Sequence, residues 1–323
     1  MSWKIKVFVF IFSLITGIGN NFAQTKNEAV EAYNMGLSMM KTDPEAALES
    51  LNKAIEISEQ LGAEGEETRE MAEALIPGIH YQIGVNLYKK KELLEAAEQF
   101  ERTVEVAEEF GDTQTKEKAA RIVPQLYFAV GNGLYKADQF DSALVYFNLA
   151  TEADSNYEKA YFGKALTYRK MEDTENFLEA IDNTIEAALQ SNKDQIATKA
   201  EETARDYLLI RGQKAVQAKS YEEASGLLEK VVVYDPDSKE AFYLLGLSHN
   251  ALKNWSKSMK AINKAIDLET GTGDDLAKLY YELGTAYYGL GDNEAACEAY
   301  SKAAEGGYKQ SAEYQMKHVV KCN

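Results

Sequence analysis

The chain is 323 residues long, 45% hydrophobic and 27% charged, with only 4 prolines. That composition excludes a disordered or collagen-like chain. A net charge of −17 argues against nucleic acid or anionic lipid as a ligand, because either would need clustered cations to offset phosphate charge.

Residues 1–23 carry a basic start (Lys4, Lys6), an apolar run from Val7 to Ile18 and a small-residue end at Ala23. This reads as a cleavable secretory signal peptide, with export to the periplasm or beyond as the expected localisation. A membrane-spanning helix needs about 20 apolar residues, and Thr16, Gly17, Gly19, Asn20 and Asn21 end this run too early. No stable membrane insertion is therefore expected after cleavage. Removing the leader takes away two lysines and no acids, so the mature charge becomes −19 (33 basic, 52 acidic).

From residue 24 onward the chain repeats itself, in units at about 29–62, 77–110, 124–157, 158–191, 205–238, 239–272 and 277–308. Each has a helix-like stretch, a short polar turn and a second helix. A small marker residue late in the first helix is followed by a small residue twelve on, a large one four later and a small one three after that. The slots read Gly84, Ala96, Phe100, Thr103 and Gly131, Ala143, Phe147, Ala150, then Ala165, Phe177, Ile181, Thr184 and Gly212, Ala224, Leu228, Val231. They continue as Gly246, Ser258, Ile262, Ala265 and Gly284, Ala296, Tyr300, Ala303. The first unit, Gly36, Ala47, Leu51, Ala54, has one residue fewer in its turn, where Asp43-Pro44 fits a tight connection. Small residues let paired helices approach, and large ones fill the space between them.

Stretches of about thirteen residues, 63–76, 111–123 and 192–204, interrupt the period and read as helical extensions ahead of units two, three and five. Pro77 and Pro124 each lie seven residues before a marker glycine, compatible with the first position of a fresh helix or with a kink in a longer one. After the last unit, Ala312, Tyr314, Met316 and Val319 or Val320 recur at helical spacing, as a capping helix over 309–321 would require.

These offsets closely resemble those of the tetratricopeptide repeat (TPR) family. The resemblance implies an all-α, right-handed solenoid of about seven helix pairs plus a C-terminal cap, and a protein that binds other proteins without catalysis. In the family, the residues three before and four after each marker line the concave face. The first set here is Tyr33, Tyr81, Phe128, Phe162, Leu209, Tyr243 and Tyr281; the second includes Tyr88, Tyr135, Arg169 and Tyr288, with Lys89, Lys136 and Lys170 one residue further on. The resemblance thus implies a groove floored with aromatics and edged by basic residues in its middle units, suited to a peptide or protein segment carrying acidic groups. Some family members clamp a C-terminal carboxylate with Lys three before and Asn one after the first marker. Tyr33 and Leu37 stand there in this chain, so that clamp is not expected.

The remaining chemistry is sparse. His80, His249 and His318 fall in separate units, and no metal-ligand spacing, phosphate loop or nucleophile elbow occurs. Neither a metal, a cofactor nor an enzymatic reaction is expected. Cys297 and Cys322 form an even pair in an exported chain, which makes a disulfide pinning the cap a reasonable expectation. The leading reading is an interaction scaffold or adaptor of the bacterial cell envelope. The alternatives are a structural protein that associates with itself, and a solenoid that stacks glycans or small ligands on its tyrosines.

Overall fold

The computed structural model describes residues 25–322; the signal segment 1–23 lies outside the described residues. The described residues fold as an all-α array of antiparallel helix pairs. α1 (Lys26–Met39) pairs with α2 (Pro44–Leu61), and α4 (Ile76–Lys89) with α5 (Leu93–Glu109). A short α3 (Glu66–Glu73) stands between these pairs. Next come α6 (Thr113–Lys136) with α7 (Phe140–Ala153), α8 (Glu158–Lys170) with α9 (Thr174–Gln190), and α10 (Asp194–Gln217) with α11 (Tyr221–Tyr234). The last two pairs are α12 (Lys239–Ala251) with α13 (Trp255–Asp267) and α14 (Asp274–Leu290) with α15 (Asn293–Ala303). α16 (Lys309–Tyr314) runs on into a π-helical turn, Gln315–Val320. The chain divides at Val123/Pro124, within α6, into two compact units.

The marker offsets have a direct steric meaning. A Cβ built on Gly84 would stand 3.0 Å from the Phe100 ring, one on Gly131 2.9 Å from Phe147, and one on Gly284 2.9 Å from Tyr300. Gly212 meets Leu228 in the same way and Gly246 meets Ile262, each sixteen residues on; Gly36 meets Leu51 after fifteen. The glycine's bare backbone is therefore the socket into which the large residue of the second helix plugs. The small slots, Ala96, Ala143, Ala224 and Ala296, are all fully buried.

The turn between paired helices is equally regular. Seven residues after each marker from unit two onward the backbone enters the left-handed region, at Lys91, Asp138, Glu172, Lys219, Lys253 and Gly291. The next residue's N–H then reaches back to a carbonyl five residues earlier, as in Glu92 to Leu87, Asp173 to Tyr168 and Asp292 to Tyr287. This is the Schellman closure of a helix end, usually built on glycine. The first unit closes differently. The Asp43 side chain accepts the Ala46 N–H and Pro44 occupies the first turn of α2, which accounts for its missing residue.

The three interruptions are helical, each in its own way. Over 63–76 a separate α3 forms and Pro77 sits in the first turn of α4. Over 111–123 the chain is continuous with α6, which carries Pro124 inside it. Over 192–204 it is the first half of α10. At the end, Ala312 and Val320 are buried on the last pair, whereas Tyr314, read as part of the capping face, is 59% exposed. Cys297 and Cys322 are joined by a disulfide, with a Cα–Cα separation of 5.7 Å.

Candidate functional site

The residues three before each marker are half-buried rather than displayed. The ring of Tyr81 meets Phe100 edge-on at 5.3 Å, Phe128 meets Phe147 at 5.8 Å, and Tyr281 meets Tyr300 at 5.5 Å. Each therefore braces the large residue that plugs its own unit's glycine socket. Tyr33, Phe162 and Tyr243 likewise pack against buried clusters of their neighbourhoods. The cause is geometric: these residues lie one helical turn before the socket, on the side of the first helix that turns towards the second. The residues four after the marker are mixed: Asn250 is buried, Tyr135 and Arg169 are half-buried, and two tyrosines are exposed. Tyr88 is 55% and Tyr288 42% exposed, and Lys89, Lys136 and Lys170 are exposed at the ends of their helices.

Within residues 124–322, three of the expected groove residues converge. Phe128 and Tyr135 of α6 and Phe162 of α8 line one cavity of about 250 Å³, together with Asn132, Lys159 and Ile196. Lys199 closes it, its ammonium 5.6 Å from the centroid of the Phe162 ring, within cation–π range. Ile196 and Lys199 come from the 192–204 stretch. That extension supplies part of the wall, a role that reading it as a length of helix does not disclose. Arg169 lines a different cavity, one turn further along α8.

Tyr243, Tyr281 and Tyr288 lie in the last two pairs, around a buried polar group. Asn250 Nδ2 donates to the backbone carbonyl of Glu282 (2.9 Å) and to its carboxylate (2.8 Å). Burial pushes the Glu282 carboxyl above the usual range despite the Asn250 bond. Burial also pushes the Tyr243 hydroxyl up, and that of Tyr300 to about 12. His249 is buried on the side of α12 that faces Glu229 and Lys257, and its burial pulls the imidazole pKa down. Among the described residues no group of three or more His, Cys, Asp or Glu is placed to hold a metal ion. None of their helices is long and apolar enough to cross a membrane.

Paired helices plugged through glycine sockets, closed by a left-handed residue and stacked on their sequence neighbours, define a helical-hairpin repeat protein. Tetratricopeptide repeat family models match residues 209–274 and 277–305, and the glycine socket recurs at Gly36, Gly84 and Gly131 and the left-handed turn at Lys91, Asp138 and Glu172 ahead of them; the chain is a tetratricopeptide repeat protein. A TPR repeat-containing protein of Methanocaldococcus jannaschii is 25% identical over 304 residues, 86% of this chain, and the chain spans 47% of that relative's length. Among solved structures, a tetratricopeptide repeat protein from Parabacteroides merdae aligns with 92% of this chain and 100% of its own at 16% identity and a TM-score of 0.28. YrrB, described as a TPR protein with an unusual peptide-binding site, aligns with 60% of this chain and 88% of its own at 18% identity and a TM-score of 0.31. MamA does so with 61% and 95% at 19% identity and a TM-score of 0.31.

Proposed function

We propose that this chain is a non-enzymatic scaffold that holds a segment of a partner protein against the first helices of its 124–322 unit. The observation that carries this reading is the cavity of Phe128, Tyr135 and Phe162, which is large enough for one apolar or aromatic side chain. Its Phe128 ring is braced by Phe147 and its Tyr135 ring by Phe140, so little side-chain freedom is lost there when a ligand enters. Aromatic walls with an amide and two ammonium groups at the rim match the apolar-centre, polar-edge pattern of protein interfaces. The protein would work outside the cytoplasm, in the cell envelope. The leader-like segment 1–23 supports that placement, and so does the Cys297–Cys322 bridge, since structural disulfides persist in oxidising compartments.

The test is site-specific photocrosslinking in the native envelope. A photoreactive phenylalanine analogue at Asn132 or Tyr135 should give a discrete adduct with another protein, and the same analogue at Val145 of α7 or Leu189 of α9 should not. Adducts from the second-helix positions alone would move the binding face to the opposite side of the pairs. Adducts with the chain itself alone would replace the scaffold by self-association.

A further inference from the structure

The second cavity on α8 and α10 has a different chemistry. It encloses about 490 Å³ and is lined by Arg169 at the end of α8, by Tyr207, Ile210, Arg211 and Lys214 of α10, and by the carboxylates Glu172 and Glu223. The Arg211 guanidinium is fixed by uncharged partners: Nη1 donates to Thr174 Oγ1 (2.7 Å) and to the Tyr207 hydroxyl (2.8 Å), and the group lies 5.6 Å from the Tyr207 ring centroid. Nη2 and Nε make no hydrogen bond among the described residues. Arg169, half-buried, and Lys214 form no ion pair there, and neither Glu172 nor Glu223 comes within ion-pair distance of the three cations.

The other arginines differ: Arg69, Arg102, Arg121 and Arg205 each have a carboxylate within ion-pair distance, at Glu73, Glu105, Glu117 and Asp206. The end of α8 explains why a cation is tolerated at Arg169, because the helix dipole favours positive charge there. It does not explain two guanidinium groups facing one cavity with donor capacity unused. Ile210, 52% exposed, lies beside them as an open apolar surface.

We propose that Arg169 and Arg211 form a carboxylate-binding subsite, and that its ligand is a protein carboxylate on an apolar stem lying over Ile210. A guanidinium fork matches a planar carboxylate with two parallel bonds. Three cations against two carboxylates leave the lining with one net positive charge, suited to a monoanion more than to a phosphate dianion. The arginines stand four after the marker Ala165 and one before the marker Gly212. Neither place is one of the Lys and Asn positions of the family's C-terminal carboxylate clamp. The subsite neighbours the aromatic cavity but is tested without it.

The experiment titrates the 15N-labelled mature chain with hexanoate, hexanamide and hexyl phosphate, reading the arginine Nε–Hε resonances. Hexanoate should shift the Arg169 and Arg211 signals saturably, with a Kd on the order of 1 mM. Hexanamide should shift neither, and hexyl phosphate should bind more weakly than hexanoate. R169Q should weaken hexanoate at least tenfold; R211K, which keeps the charge and loses the fork, should weaken it several-fold. K230Q, at an exposed position of α11 outside the cavity lining, should leave it unchanged. A blocked peptide with one internal Glu and a peptide with only a free C-terminus then tell which protein carboxylate is preferred. Equal shifts with the amide, tighter binding of the phosphate, no effect of R169Q, or equal weakening by K230Q would each overturn the assignment. Hexanoate binding alongside failed crosslinks from Tyr135 would leave the subsite standing and remove the aromatic cavity alone.

Discussion

At the scale of single residues, Phe147 shows how tightly the array is keyed. Its ring is 2.9 Å from where a Cβ on Gly131 would stand and 2.8 Å from where one on Gly163 would stand, so it fills a slot between two first helices and has no side to yield to. Inserting a methyl group into a filled core costs about 1–3 kcal/mol, while replacing a helical glycine by alanine gains up to about 1 kcal/mol. Gly131→Ala and Gly163→Ala should each therefore destabilise by about 1 kcal/mol net. In a Phe147→Ala background, where the ring is removed from both sides, the same substitutions should lose that cost and become neutral or stabilising. Urea unfolding of the double-mutant cycle reads this directly. Glycine substitutions that cost the same in both backgrounds would mean that Phe147 is not what excludes the methyl group.

At the scale of elements, two buried carboxylates hold helix starts in place, one across neighbouring pairs and one against the connection that follows its own pair. Glu158, the first residue of α8, has a fully buried side chain 2.7 Å from Lys193 Nζ at the start of α10. The side chain of Glu269, between α13 and α14, is 1% exposed; it takes Lys239 Nζ from the start of α12 at 2.9 Å and the Gly271 N–H at 2.7 Å. The Lys239 bond, then the Gly271 N–H, holds the Glu269 carboxyl below its ordinary 4.5. A depressed carboxyl stabilises the fold above its unfolded pKa, and that contribution is lost as pH falls through the folded value. The advantage of wild type over Glu269→Gln should thus be constant above about pH 5 and shrink below pH 4.5 in urea midpoints taken from pH 7 to pH 3. Glu282 must run the other way: its raised pKa makes wild type lose ground to Glu282→Gln as pH rises above 4.5. Parallel curves for the two variants would refute the assignment. These ties were not legible in the sequence, because a buried charge leaves no trace in hydrophobic periodicity. The sockets were legible, since small and large residues sixteen apart meet within one hairpin and the spacing carries all the information. The left-handed lysines at 91, 219 and 253 were not, because the hairpin imposes a conformation that lysine itself does not signal. Nor was the inward packing of Tyr81, Phe128 and Tyr281, which depends on how far a first helix is rolled about its axis. Pro77 and Pro124 were equivalent as sequence and resolve differently, one opening α4 and one lying inside α6.

At the scale of the whole molecule, helix contacts run between sequence neighbours: α1 with α2, α8 with α9, α11 with α12. Among the described residues, next-but-one partners such as α10 with α12 and α12 with α14 also meet. Stability in such an array is a sum of local and nearest-neighbour terms, so a perturbation is felt close to where it is made. The Cys297–Cys322 bridge is a clean way to make one. It closes a sequence separation of 25 residues and ties α15 to the end of the chain, where Ala312 and Val320 cover the last core beside Tyr300. In the chain-entropy account a loop of that length is worth about 3 kcal/mol. Reduction should therefore lower amide protection through α14, α15 and α16, where Leu279, Leu283 and Tyr300 are buried, and leave α1, α2 and α4 as protected as before. Hydrogen exchange with mass spectrometry, with and without a reductant, reads both ends in one experiment. A uniform loss along the chain would mean that the array unfolds as one cooperative body, so that the terminal bridge stabilises every pair; a loss confined to the last pairs would mean that it anchors only the end against which α16 packs.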